Sequence, residues 1–231
     1  MFTREELTSM PRVETLFQGE ELLSTVNITK EKVQAKLKKL KPSSAPGPDK
    51  VWTRILHDLS DQLSIPLAMI YERLLREEAV PEIWLKSLVC PIFKKGSKSD
   101  PGNYRPVSLT CVVGKEMESI LVDALISHIV TNKLLRASQH GFLPGKSTVT
   151  CMLEYLETLT KWMDEGRSFD VIYCDFAKAF DKVPWERLLA KMKGVGVGGS
   201  LLGWIRKWLT GGRLQSVILN GQQSGVKFCK G

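Results

Sequence analysis

Ser168-Phe169-Asp170-Val171-Ile172-Tyr173-Cys174-Asp175-Phe176-Ala177-Lys178-Ala179-Phe180-Asp181-Lys182-Val183 is the stretch that decides how the rest of this chain is read. An apolar, β-prone run from Val171 to Cys174 lies between acids and ends at Asp175. Such a pattern predicts a short buried strand that turns into a loop and a helix. A carboxylate at the end of a buried strand is costly unless something pairs with it. A metal ion is one such partner; an Arg or Lys, the commoner company of a buried acid, is the other.

The 231 residues suffice for one large domain or two small ones, and 43% hydrophobic content supports a real core. A net charge of +8 and a pI near 9.2 favour a polyanionic partner, with a merely solvated basic surface as the alternative. The five cysteines, Cys90, Cys111, Cys151, Cys174 and Cys229, are odd in number and never spaced Cys-x-x-Cys. That usage predicts a reduced intracellular chain, nuclear or cytoplasmic and not secreted, without a zinc site or disulfide framework. The first twenty residues are charged and lack the apolar core of a signal peptide. No apolar run approaches membrane-spanning length, so no membrane partner is expected.

In chain order, residues 1–40 read as an N-terminal helical extension: a short helix and linker, then a helix from Thr29 to Lys41 with Ile28, Val33, Leu37 and Leu40 on one side. Its other side carries Lys30, Lys32, Lys36, Lys38, Lys39 and Lys41, which serve either solvation or nucleic-acid contact. Lys41 to Asp49 is a loop too rich in Pro and Gly for a helix or a central strand. Residues 52–77 read as helices with Leu56, Leu59, Leu63, Leu67, Ile70 and Leu74 inward, kinked or divided at Pro66. Ser87–Phe93 and Tyr104–Thr110 read as two extended segments joined by a long basic loop. A helix with Val113, Met117, Ile120, Leu121 and Leu125 at helical spacing follows. Another, from Thr148, packs Val149, Met152, Leu153, Leu156, Trp162 and Met163 on one side. Helices from Trp185 and from Leu201 precede a hairpin of Arg213–Asn220 with Gly225–Cys229. Trp204 and Trp208 are assigned to packing in preference to nucleic-acid contact.

Two glycine patterns mislead. Gly145-Lys146-Ser147 suggests a phosphate-binding loop, but Gly141 is one residue too close and no apolar strand precedes it. Gly194, Gly196 and Gly199 satisfy the dinucleotide spacing, but they follow a helix and serve better to stop it.

Asp175, followed five positions later by the aromatic Phe180, resembles the first palm motif of reverse transcriptases, above all that of non-LTR (LINE-like) retrotransposons. Four other segments fall in the family's order: Ala45-Pro46-Gly47-Pro48-Asp49, Pro91 to Gly96, Asn103 to Leu109, and Gln139 to Phe142. The resemblance implies an α+β fold, mostly helical with short antiparallel strands: right-hand polymerase fingers (41–165) and the beginning of the palm (166–231), thumb absent. It implies an RNA-directed DNA polymerase, a nucleotidyltransferase acting on RNA template, DNA primer and dNTP. Asp175 would be the catalytic ligand of Mg²⁺, which prefers carboxylate, phosphate and water oxygens and supports in-line transfer in pairs. Phe176 and Phe180 would lie at the nucleotide, with Phe180 under its sugar. Arg105, together with Lys94 or Lys95, would grip the triphosphate, and Gln139, Gly141 and Phe142 would touch the template. Asp181 would start the helix at Trp185 or pair with Lys182. The family's later Pro-Gln-Gly and Ala-Asp-Asp motifs do not occur in this sequence. The expectation is therefore a partial polymerase not competent alone; a non-catalytic nucleic-acid-binding remnant is the alternative.

Overall fold

The computed structural model describes residues 13–176, 179, 182–219 and 221–228. Phe180 and Asp181 lie outside the described residues.

The first helix, α1 (Lys30–Lys38), starts where Thr29 takes an extended backbone and its side chain accepts from the Lys32 N–H. Val33 and Leu37, one turn apart, are fully buried against α3 (Ser60–Arg76) and α4 (Val112–Thr131). The basic side of α1 is largely used inside the molecule. Lys36 reaches Asp123 and Ser119 on α4, Lys38 reaches Asp61 on α3, and Lys32 donates to the Asn27 carbonyl.

Between them, α2 (Thr53–Asp58) and α3 are separated at Leu59, so the expected division at Pro66 is corrected. Pro66 sits inside α3 on its exposed side, as does Gln62, the residue whose carbonyl it leaves without a donor. Water can satisfy that carbonyl, so the helix continues. The break also resets the helical phase. Ser64, Leu67, Ala68, Tyr71 and Leu75 form the buried stripe, and Leu59 and Ile70, expected inward, are exposed.

A 3₁₀ turn at Glu82–Leu85, with Trp84 buried, leads into β1 (Lys86–Phe93). It pairs antiparallel with β2 (Tyr104–Thr110) from Ser87↔Thr110 to Phe93↔Tyr104. On its other side β1 pairs parallel with β3 (Leu214–Leu219), from Lys86↔Leu214 to Val89↔Val217. Two short strands, β4 (Gln222–Gln223) and β5 (Lys227–Phe228), pair antiparallel with β3. The sheet is mixed rather than antiparallel throughout. The long excursion between β1 and β3 allows the parallel register that no tight turn could make.

α6 (Trp185–Gly194) and α7 (Gly199–Thr210) complete the core. Trp204 and Trp208 stack at 5.2 Å, and the Trp204 indole donates to the Ala79 carbonyl at 3.0 Å. Residues 13–28 contain no helix, and residues 1–12, where part of the expected helical extension falls, lie outside the described residues. Leu16 and Phe17 donate to the Gly194 carbonyl, Leu23 bridges Val197, and Leu201 donates to Ser24. One hydrophobic cluster joins Val26, Ile28 and Leu37 to Tyr71, Met117, Leu121, Leu189, Leu201 and Trp204. All three expected segments thus share one core.

Two expectations of burial fail together. Val171–Phe176 has no regular secondary structure and forms no strand, with Ile172 85% and Tyr173 82% exposed. α5 (Thr148–Asp164) buries no residue, and Val149, Met152, Leu153, Leu156 and Met163 face solvent. The run joins none of the ladders of the sheet, and without a neighbouring strand or helix face to cover them its apolar side chains stay in solvent. No helix among the described residues is long and apolar enough to cross a membrane.

Candidate nucleotide and nucleic-acid site

The β1–β2 hairpin projects beyond the sheet. β3 accompanies β1 only as far as Val89, so Cys90–Phe93 and Tyr104–Val107 form a two-stranded ribbon. Pro91 lies in that ribbon opposite Pro106, where a missing N–H does least harm. Its loop is locally determined. Asp100 accepts from the Gly102 N–H, the Asn103 amide donates to the Ser97 carbonyl, and the Tyr104 hydroxyl donates to the Lys98 carbonyl. Gly96 takes φ of +90° with the Asn103 amide where a Cβ would stand, so a side chain is excluded there.

Register decides which cations act together. Ile92 pairs with Arg105, Phe93 pairs with Tyr104, and the Lys94 N–H donates to the Asn103 carbonyl. Side chains alternate along a strand, so Lys94 and Arg105 fall on one face, and the Phe93–Tyr104 ring pair, 5.5 Å apart, on the other. Lys95 lies past the ladder. Lys94, Lys95 and Arg105 are all exposed, and none makes an ion pair with a described residue.

At the base of the hairpin, the Pro-rich loop is docked rather than free. A Cβ on Gly47 would stand 2.5 Å from the Thr110 carbonyl oxygen, at the junction of β2 and α4. The Thr53 hydroxyl reaches the Pro42 and Ser44 carbonyls. Burial pushes the Cys111 thiol up to about 11, with the Asp49 carboxylate beside it adding to the effect.

Gln139, Gly141 and Phe142 lie in a second loop, ahead of α5. The Gln139 amide donates to the Gly141 carbonyl at 3.0 Å, and Lys146 reaches back to the Ala137 carbonyl. Phe142 takes φ of +63° and is 86% exposed. A bulky residue held left-handed and pushed into water is the kind of strain that accompanies function. His140 between them was not singled out from the sequence. Its ring nitrogens meet the Thr150 hydroxyl at 2.9 Å and the Glu154 carboxylate at 2.6 Å. Neither spacing announces itself in the sequence, because each contact crosses from a loop to a helix.

Asp175 is exposed, and so is Phe176, at 81%. Phe176 lines a hollow of about 500 Å³ whose wall carries Lys182, Arg187 and Lys191. Along α5 the run from Asp170 to Ile172 borders a groove of about 350 Å³ with His140, Glu154, Tyr155 and Trp162. The Tyr155 and Tyr173 hydroxyls meet at 2.7 Å. Among the described residues no three His, Cys, Asp or Glu side chains converge as metal ligands. Asp175 thus belongs to no such cluster among the described residues, which do not by themselves fit a magnesium pair.

Residues 92–231 match the family described as reverse transcriptase (RNA-dependent DNA polymerase). The chain is 28% identical over 202 residues to the RNA-directed DNA polymerase from mobile element jockey of Drosophila funebris, covering 87% of this chain and 22% of that protein. Against the jockey polymerase of Drosophila melanogaster it is 30% identical over 182 residues, 78% of this chain and 20% of that protein. A probable RNA-directed DNA polymerase from transposon BS, also of Drosophila melanogaster, is 28% identical over 71% of this chain and 18% of its own length. The chain thus spans about a fifth of the length of these relatives. With its hairpin, loop and palm-type segments in family order and the match running from the β1 tip onward, the chain belongs to the reverse transcriptase (RNA-dependent DNA polymerase) family, in its non-LTR, LINE-like branch.

Proposed function

We propose that this chain carries the fingers (41–165) and opening palm (166–231) of an RNA-directed DNA polymerase, and that its own residues bind a dNTP triphosphate and an RNA template. The observation that carries this is the projecting hairpin, with Lys94 and Arg105 on one face, both exposed and neither ion-paired with a described residue. A planar Arg fork beside a point charge suits a polyphosphate, because charge-assisted contacts to phosphate oxygens are the strong ones. Register favours Lys94 over Lys95 as the second cation. Phe176, at the basic hollow, supports an aromatic contact to the nucleotide, and Phe142 supports base stacking on the template. Asp175 is proposed as the carboxylate this chain contributes to magnesium. Its exposure leaves it accessible, and a single carboxylate predicts nucleotide and RNA binding without transfer by this chain alone.

Binding of a dNTP, measured by calorimetry on the 231-residue chain and its variants, tests the assignment. Arg105→Ala and Lys94→Ala should each weaken binding about tenfold or more, and Lys95→Ala much less, from about 1.5–3 kcal/mol per charge-assisted contact. Equal losses at Lys94 and Lys95 would contradict the register argument. Unchanged affinity in Arg105→Ala would contradict the site. RNA affinity should fall steeply with salt, as phosphate contacts require, and a flat response would count against a polyanion partner.

A further inference from the structure

His140 lies within the template-contacting loop but does something different from its neighbours. Gln139, Gly141 and Phe142 are exposed, whereas the His140 side chain is only 9% exposed. Its two ring nitrogens reach two successive turns of α5: Nδ1 meets the Thr150 hydroxyl at 2.9 Å and Nε2 meets Glu154 Oε2 at 2.6 Å. Thr150 is itself part of the helix start, where the Ser147 hydroxyl accepts from the Thr150 N–H and the Thr150 hydroxyl accepts from the Ser147 N–H. An ionised Glu154 accepts only, so Nε2 must carry a proton. The Thr150 hydroxyl can turn its hydrogen toward Nδ1 or toward the Ser147 carbonyl, 2.9 Å away, so the contact survives in either charge state of the ring. Cys151, Tyr155 and Asp170 share the groove beside the imidazole, and Lys146 lines a second hollow together with His140.

Ties of the loop from Ala137 to Ser147 include Lys146 to Ala137, Gln139 to Gly141, and His140 to α5. Of these, the histidine is the one that fixes the middle of the loop to a regular element, beyond the Ser147 cap at its end. Phe142, two residues away, has a left-handed backbone and 86% exposure, a conformation that relaxes unless its surroundings hold it. We infer that His140 is a positioning residue for template binding: clamped between Thr150 and Glu154, it holds the Gln139–Phe142 loop on α5 so that the Phe142 ring stays presented to an unpaired base. The clamp acts through Phe142 and makes no contact of its own with nucleic acid.

This inference rests on the reading of the loop as a template contact, and the test separates the two. The probe is a fluorescein-labelled single-stranded RNA of about 15 nucleotides, near the upper site size of such proteins. Its affinity for the full chain is read by anisotropy, with thermal melting of each variant alongside. Phe142→Ala should weaken binding about tenfold, the loss expected for one stacked base. His140→Ala should weaken it about fivefold with an unchanged melting temperature, and should add nothing in the Phe142→Ala background. His140→Gln, whose amide can still donate to Glu154, should recover most of the affinity. Glu154→Ala removes a negative charge and by electrostatics alone would tighten RNA binding; the clamp predicts a loss instead. If Phe142→Ala leaves affinity intact, the template reading of the loop fails. If Phe142→Ala weakens binding while His140→Ala does not, or the two losses simply add, or Glu154→Ala tightens binding, His140 is not the clamp. A loss matched by a fall in melting temperature would assign His140 to stability alone and overturn the inference.

Discussion

Replacing Gly47 by alanine should destabilise this protein far more than its place in a Pro-rich loop suggests. An added Cβ would stand 2.5 Å from the Thr110 carbonyl oxygen, 2.6 Å from its carbon and 2.8 Å from the Cys111 nitrogen, where ordinary contact begins at 3.4 Å. These are backbone atoms at the end of β2 and the cap of α4, so no rotamer change relieves the overlap. Nor can the loop back away freely. The Lys50 N–H donates to the Gly47 carbonyl, and Thr53 holds Pro42 and Ser44. Overpacking of this kind costs about 1–3 kcal/mol, and an overlap against rigid backbone on one side and anchored turns on the other belongs at the upper end, about 3 kcal/mol. In a chain of 231 residues each kcal/mol lowers Tm by about 2–4 °C, so the expected fall is about 6–12 °C. Thermal melts followed by circular dichroism, with urea titration for the free energy, measure it. Gly225→Ala is the control, since nothing lies within 4 Å of a Cβ there, and it should change stability by no more than about 0.5 kcal/mol. Indistinguishable melts for the two variants would refute the docking of the loop on the β2–α4 junction.

Other consequences follow from the core and its titratable groups. Trp204→Phe leaves the Ala79 carbonyl without its donor and should cost about 1–3 kcal/mol in urea unfolding, whereas Trp204→Ala also empties the stack on Trp208 and should cost about 3–5 kcal/mol; a neutral Trp204→Phe would remove the hydrogen bond from the account. Burial raises the Glu116 pKa, opposed by Lys36 and Lys115. The folded state then holds its proton to higher pH than the unfolded one, and stability falls as pH rises from the ordinary carboxylate pKa through the raised one. Glu116→Gln should therefore gain over the wild type as pH increases from 4 to 7, and a gap in Tm that stays constant with pH would contradict this. Exposed Cys151 and Cys174 should react with a maleimide at pH 8, while buried Cys111, with its thiol near 11, stays unmodified on peptide mapping; early labelling of Cys111 would show that its surroundings open.

Local patterns in the sequence were sufficient where the chain answers to near neighbours. Thr29 caps α1 because its side chain needs only the N–H three residues on. The hairpin strands, α4, α6 and α7 all emerge where apolar spacing and turn residues put them. Helical phase along α3 was misread because a break at Leu59, with no Gly or Pro at that position, shifts every later residue around the axis. The lysines of α1 were ambiguous because a lysine that pairs with Asp123 or Asp61 looks, in sequence, like one that faces water.

The sequence by itself determined the family, the order of the elements, and the residue types available for phosphate and base contact, because those depend on motif identity and short-range periodicity. Only the tertiary structure decided that β1 lies between an antiparallel and a parallel neighbour, that Lys94 rather than Lys95 shares a face with Arg105, and that His140 ties the loop to α5. It also left Asp175 and the apolar run before it in solvent, against the buried strand that the hydrophobic pattern implied. The physical reason is common to all four. Burial, register and side-chain pairing are set by which distant segment occupies a given edge or face, and a periodic pattern records that a face is apolar without recording what covers it.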